Sequence, residues 1–186
     1  MNVVLPVDIQ NGLDDWLYWG GDRSTPEFEK NVAQLMAAAR IANQPVIHVK
    51  HNSTDADSPL RPGQVGNEFK PESQPLPGEL VIGKSVNSAF IGTDLESRLR
   101  QMEAVRLIIF GLTTQHCVST TVRMAGNLGF ETFLVGDATA AFPIRQPDGQ
   151  IVEAETVHRI HLASLDGEFA TVISTQEAVS LIADAG

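Results

Sequence analysis

The sequence is poor in cysteine, in aromatic residues and in positive charge, and it has no long apolar run. One cysteine among 186 residues excludes an internal disulfide, and a reducing, intracellular setting is the simplest expectation. Lysine and arginine total 13 against 23 acidic residues, a formal net charge of -10. That balance argues against nucleic-acid binding and for a solvated acidic surface. It does not identify a substrate. No apolar stretch approaches the roughly 20 residues that span a bilayer. The opening MNVVLPVD lacks the basic n-region and long apolar h-region of a secretory signal. The expectation is therefore a cytoplasmic protein with no membrane and no nucleic-acid partner. Aromatic residues make up only 6% of the chain, yet both tryptophans and the single tyrosine fall within the four positions Trp16 to Trp19. Such a cluster walls a pocket, lids one, or meets another subunit.

What is present is an alternation of short apolar runs with helical patterns. The length suits one domain over 1–186, large enough to bury a core unaided. Strands are predicted over 2–9, 45–51, 80–83, 105–111, 131–138 and 169–175. Pro6 sits awkwardly inside the first of them. Helices are predicted between them. One is capped by Thr25 with Pro26 at its first position, and it buries Phe28, Val32, Leu35, Met36 and Ala39. A second is capped by Thr93. A third runs 118–128 and stops at Gly129. A fourth covers 154–165, and a final one covers about 176–183. Residues 52–79 hold five of the ten prolines and show no period. A loop that long is functional or disordered, unless short elements lie within it. The pattern predicts a three-layer α/β/α, Rossmann-like fold with six mostly parallel strands and helices on both faces.

Ligands in such folds sit at the carboxyl ends of the strands. Asp8, His48 with His51, Lys84, Cys117 and Asp137 all fall at or just beyond a strand end. Cys117 follows a strand–turn and opens a helix, where the dipole and free N–H groups favour a thiolate. It also fits a small buried hydrophobe, and the pattern alone leaves both readings open. Asp8 is a candidate general base or a turn-capping carboxylate. Lys84 is a surface lysine or the cation that lowers the thiol pKa. Asp137 reads as a holder of the following loop, ATAAFP, rather than a reacting group.

Taken together, VDIQNG, GKSVNSAF and GLTTQHCVSTT, followed by RMAGNLGF, VGDATAAF and HLASLDGEFA, resemble the cysteine hydrolases of the isochorismatase-like superfamily. That superfamily includes nicotinamidases, N-carbamoylsarcosine amidohydrolase, and biuret and ureidoacrylate amidohydrolases. The resemblance is colinear over nearly the whole chain. It implies a catalytic triad of Asp8, Lys84 and Cys117. It implies a cis peptide, placed here between Leu112 and Thr113, and an oxyanion hole from the backbone N–H groups of Thr113 and Cys117. It further implies a homo-oligomer, dimer or tetramer. Gln10 looks like the pocket glutamine that positions Asp8 or Lys84. The true isochorismatases cleave an enol ether and lack the nucleophilic cysteine, so Cys117 favours hydrolysis of a C–N bond: an amide, ureide or carbamoyl group. Esters, an isochorismate-like enol ether, and a non-enzymatic redox-responsive thiol are the alternatives.

The remaining pocket candidates are Trp16, Trp19, Phe90, His116 and Phe142. Arg61 is a carboxylate binder or a surface arginine. No cofactor is expected. His48 and His51 lack the Asp-x-His element of the nicotinamidase metal site and point to opposite faces of a continuing strand, so no metal is expected either. His158 and His161 read as a solvated or interface helix face.

Overall fold

The structure, a computed structural model, describes residues 1–184. In chain order the elements are β1 (Asn2–Val7), the short helix α1 (Trp16–Trp19), α2 (Phe28–Ile41), β2 (Ile47–His51), β3 (Leu80–Lys84), α3 (Leu95–Gln101), β4 (Arg106–Leu112), α4 (Ser119–Asn127), β5 (Glu131–Ala140), β6 (Ile144–Arg145), β7 (Ile151–Val152), α5 (Ala154–Leu165), β8 (Thr171–Ile173) and α6 (Thr175–Ala183). Six strands form one sheet in the order β3-β2-β1-β4-β5-β8, and every neighbouring pair is parallel. The sequence pattern missed β6 and β7, a small antiparallel hairpin outside that sheet. Two-residue strands carry too little periodicity to register. No described helix is long and apolar enough to cross a membrane.

The core lies on both faces of the sheet because strand side chains alternate. Val3, Leu5 and Val7 of β1 join Leu107 and Ile109 of β4 on one face, with Leu95 and Leu99 of α3 and Val122 of α4. Val4 joins Ile108 and Phe110 on the other, with the buried stripe of α2 and with Ala178 and Ile182 of α6. A strand covered twice must be apolar at every position, hence the unbroken LIIF run of β4.

Several local expectations change. Thr25 does not cap α2: it adopts φ +62, and its hydroxyl donates to the Thr139 carbonyl at 2.9 Å. The helix instead starts from Glu27 without a side-chain cap, and its stripe is buried as expected. Thr93 lies one position before the cap of α3, though its hydroxyl still accepts from the Leu95 N–H. Ser174 and Glu177 form a reciprocal capping box on α6. Asp137 does not hold the ATAAFP loop: its carboxylate accepts from the Thr175 N–H and hydroxyl at the start of α6. Strand β5 runs past it to Ala140.

Pro6 sits in an interior strand, and the β1–β2 ladder accommodates it with a gap. Val4 N–H donates to the Pro45 carbonyl and Asp8 N–H to the Val49 carbonyl. Pro6, midway between them on the same edge, has no N–H to give.

The end of β4 is bent toward the site. Its register with β5 shifts between Ile109 and Gly111, as at a bulge that re-aims a strand end. Gly111 has φ +130, and a Cβ there would lie 2.0 Å from the Val7 carbonyl oxygen. Only glycine permits this approach of β4 to β1.

Candidate active site

The strand order reverses between β1 and β4, which makes that seam the topological switch point where ligands bind in open parallel sheets. Asp8 follows β1 on one side of it. The turn Thr114–Val118, one π-helical turn running directly into α4, follows β4 on the other and carries Cys117. Lys84 ends β3, and His51, its register partner, ends β2. Strands lie about 4.8 Å apart, so a side chain on β3 must reach across β2 to meet Asp8. Lysine is long enough to do so.

The Lys84 ammonium has three N–H donors, and each has one acceptor. They are Asp8 Oδ2 at 2.6 Å, His51 Nδ1 at 2.9 Å and Cys117 Sγ at 3.3 Å. An ammonium cannot accept, so His51 Nδ1 must. A neutral His51 therefore carries its proton on Nε2. Both Asp8 and the Lys84 side chain are removed from solvent. Such a charge pair is tolerable only because each member satisfies the other. The second Asp8 oxygen, Oδ1, is buried without a hydrogen-bond partner. It is an open acceptor beside the thiol. Asp8 itself has φ +51, a left-handed conformation that aspartate tolerates better than most residues.

The net shift of the thiol runs against the sequence-based expectation, although Lys84 itself lowers the thiol pKa as expected. Burial pushes the Cys117 thiol well above its ordinary range, and the Asp8 carboxylate adds to that. Lys84 opposes them without prevailing. Burial is the largest of these effects, and the ammonium that opposes it is itself paired to Asp8 2.6 Å away. His51 is held toward its neutral form by burial first and by Lys84 second.

A cavity of about 110 Å³ opens over Cys117, lined by Asp8, Leu13, Trp19, His51, Leu60, Asn87, Leu112, Thr113, His116 and Cys117. A larger, shallow groove of about 560 Å³ runs elsewhere, past Asp137, Glu155, His158 and Arg159. Its hydroxyls, Thr25 and Ser174, are bonded to Thr139 and Glu177, and the cysteine with its charged pair lies at the smaller cavity, which is the candidate site. The Leu112–Thr113 peptide is cis, at the bond the family resemblance marked.

The structure brings Asp8, Lys84, Cys117, Thr113, His116 and Trp19 together and separates others. The Gln10 side chain bonds neither the Asp8 carboxylate nor the Lys84 ammonium. It is fully buried, accepts from the His51 N–H and donates to the His51 and Asn67 carbonyls. Gln10 thus clamps the backbone of His51. Trp16 is half exposed and lies outside the cavity, while Leu17 is 97% exposed. Only Trp19 of the cluster turns inward, its indole N–H donating to the Gly12 carbonyl at 2.8 Å. Phe142 backs Trp19 in a stacked pair, centroids 5.7 Å apart, and does not face the cavity. Phe90 packs against Phe130 in the core on the other face of the sheet. Arg61 is exposed, but the neighbouring Leu60 lines the cavity, so the long loop does contribute a wall.

The histidines divide. His48 is buried and bonded to Glu79 at 2.8 Å, away from the site. His51 was missed as a site residue. The alternation of strand faces was there to find it, since it places His51 opposite the buried His48. His158 is buried rather than solvated, its Nδ1 2.8 Å from the Thr114 hydroxyl, which ties the nucleophile's turn to α5. Asp8, His51 and Cys117 offer ligand atoms within 4.8 Å of one another, a geometry that suggests a cation. The Lys84 ammonium bonds all three, so a side-chain cation already engages those lone pairs.

The isochorismatase domain family matches residues 2–177. The isochorismatase family protein YrdC of Bacillus subtilis is 41% identical over 174 residues, 94% of this chain and 92% of its own. An isochorismatase-family protein from Chromobacterium violaceum has a solved structure that superimposes with a TM-score of 0.92 at 40% identity, covering 98% of this chain and 94% of that one. The ureidoacrylate amidohydrolase RutB of Variovorax paradoxus is 30% identical over 136 residues, 73% of this chain and 49% of its own length. With Cys117, Asp8 and Lys84 gathered at the switch point of this sheet, the chain belongs to the isochorismatase family of hydrolases.

Proposed function

We propose that the chain is a cysteine amidohydrolase that cleaves a C–N bond of a small molecule through a thioester on Cys117. The observation that carries this reading is the shared ammonium. Lys84 holds Asp8 and Cys117 on one centre and leaves Asp8 Oδ1 unpartnered. Cys117 Sγ attacks the substrate carbonyl carbon while its proton passes to Asp8. The backbone N–H groups of Thr113 and Cys117, both on cavity-lining residues, receive the developing oxyanion. Asp8 then protonates the leaving amine or ammonia, and the C–N bond breaks. Water attacks the thioester, giving its proton to Asp8. The acid leaves and the thiol is restored. A C–N substrate is also the chemistry that RutB's name states for that relative.

The thiol's surroundings weigh against a redox-sensing role. Sensor cysteines are low-pKa and accessible, whereas Cys117 is pushed the other way. The test is a panel of primary amides, ureides and matched esters, read by ammonia release and by the intact mass of the protein. Ammonia release with a transient acyl adduct on Cys117 supports the reading. Ester cleavage without any ammonia release from amides overturns it.

His51 enters as a positioning residue for Lys84. Its neutral ring accepts one ammonium N–H, and protonation would put two cations in contact. Its pKa is lowered, so kcat/KM is expected to hold through pH 6.5 and to fall only as pH drops through that lower value. Unlike a general base, His51 is replaceable by a neutral acceptor. His51→Asn, whose amide oxygen can stand near Nδ1, should retain most activity. His51→Leu should lose about tenfold to a hundredfold, the effect of one charged N–H left unpaired. Equal losses in both variants would defeat this role.

A further inference from the structure

The cavity wall has a charge character that says what it can hold. Among the described residues, no arginine or lysine lines it. The one cation beneath it, Lys84, has all three N–H groups engaged. Its charge is balanced by Asp8, so the pair presents no net charge to a ligand. Other cations of the surrounding loops are spent in ion pairs: Arg23 and Lys70 on Asp14 and Glu29, Lys50 on Glu68. Arg61 is exposed and stands outside the wall. The whole chain carries a net charge of -10, a field that repels anions before they arrive.

The rest of the wall is apolar or neutral. Leu13, Leu60, Leu112 and Trp19 supply the apolar part. The polar part is Thr113, the Asn87 side chain, 3.9 Å from Cys117 Sγ, His116, which burial holds toward its neutral form, and His51, whose Nδ1 is taken and whose Nε2 is left to donate. A carboxylate brought here would lose its hydration and find no counter-ion. The size limit is also tight. An apolar cavity of about 150 Å³ accommodates benzene, so about 110 Å³ accommodates a group of roughly four to six non-hydrogen atoms.

We infer that the cavity selects an uncharged amide with a compact acyl group and rejects carboxylate-bearing analogues of the same shape. This rests on the amidohydrolase reading for what the site does to its ligand, and on the wall alone for which ligand it admits.

The single cysteine allows a direct test on the unmodified protein. Iodoacetamide and iodoacetate are isosteric and react alike, the thiol sulfur displacing iodide to form a thioether, but only one is an anion. The ratio of their rates at Cys117 is measured against the same ratio at glutathione, so the thiolate fraction cancels. The protein is expected to favour iodoacetamide by about tenfold or more beyond glutathione. The preference should persist at 1 M salt, where the Debye length is about 3 Å and long-range repulsion is screened. Arg61→Ala should leave the ratio unchanged. Oxamide and oxamate, again isosteric, give the turnover arm, with oxamide expected to be the faster by on the order of 100-fold in kcat/KM. A ratio equal to that of glutathione overturns the inference, as does a preference that vanishes in salt, a ratio that shifts in Arg61→Ala, or oxamate turnover matching oxamide. Selective alkylation with no ammonia release from any amide would keep the inference and overturn the amidohydrolase reading instead.

Discussion

Cys117→Ser is expected to lower kcat/KM for the amide substrate by about 10⁴-fold or more, roughly 5.5 kcal/mol of transition-state stabilisation. The substitution changes one atom and hardly any volume, so the fold has no reason to respond. What changes is the proton transfer. Asp8 Oδ1 is one weak base in a buried site. It can take a proton from a thiol as the S–C bond forms, but a hydroxyl is far harder to deprotonate. Cys117→Ala should abolish turnover and the acyl adduct together, while thermal stability stays within about 1 kcal/mol of the parent because the residue is only part-buried. A Cys117→Ser protein within tenfold of the parent would mean that sulfur is not the nucleophile. The measurements are ammonia release, intact mass during turnover, and thermal unfolding on the same preparations.

Much of this site was legible at the level of strand ends. The apolar runs place the strands, and a parallel sheet delivers the residues after β1, β3 and β4 to one edge, so Asp8, Lys84 and Cys117 converge without knowledge of any loop. The fold class follows from the same alternation. What one dimension does not carry is depth and direction beyond the strand. Gln10, two residues after Asp8, turns to the backbone of His51 instead of the triad. Trp16 and Trp19 lie three apart at the two ends of a one-turn helix, yet one is half exposed and the other lines the cavity. Phe90 follows Lys84 closely in sequence, but the chain has by then turned toward the α3 side of the sheet.

The net direction of the thiol pKa was hidden for a related reason: Lys84 lowers it as its position suggests, but burial, which a sequence does not show, outweighs the cation. The Lys84 ammonium is also shared, and a sequence does not show that Asp8 lies 0.7 Å closer to it than Cys117 does (2.6 against 3.3 Å). The pairing makes Lys84 a fixed centre that holds both acceptors in place. The proton then moves within the site rather than to solvent.

Asp8→Asn is expected to combine a catalytic and a structural loss, and the two can be separated. The catalytic part is the missing base, worth about 10²- to 10⁴-fold in kcat/KM. The structural part comes from Lys84, whose side chain is 0% exposed. Without Asp8 its charge is left buried beside neutral acceptors. Removing one member of a buried pair typically destabilises by about 3–5 kcal/mol. Lys84→Met is expected to destabilise similarly, for the mirrored reason that Asp8 keeps its charge without a partner. The double variant Asp8→Asn/Lys84→Met removes both charges at once, and a neutral replacement of a buried pair is often well tolerated. Its stability should therefore recover at least half of the loss seen in either single variant. Activity should not recover, because neither a base nor a positioned thiol remains. Denaturant unfolding and ammonia release on the four proteins complete the cycle. Additive stability losses would show that Asp8 and Lys84 do not form a coupled pair. Activity regained with stability would mean that the pair serves the fold alone.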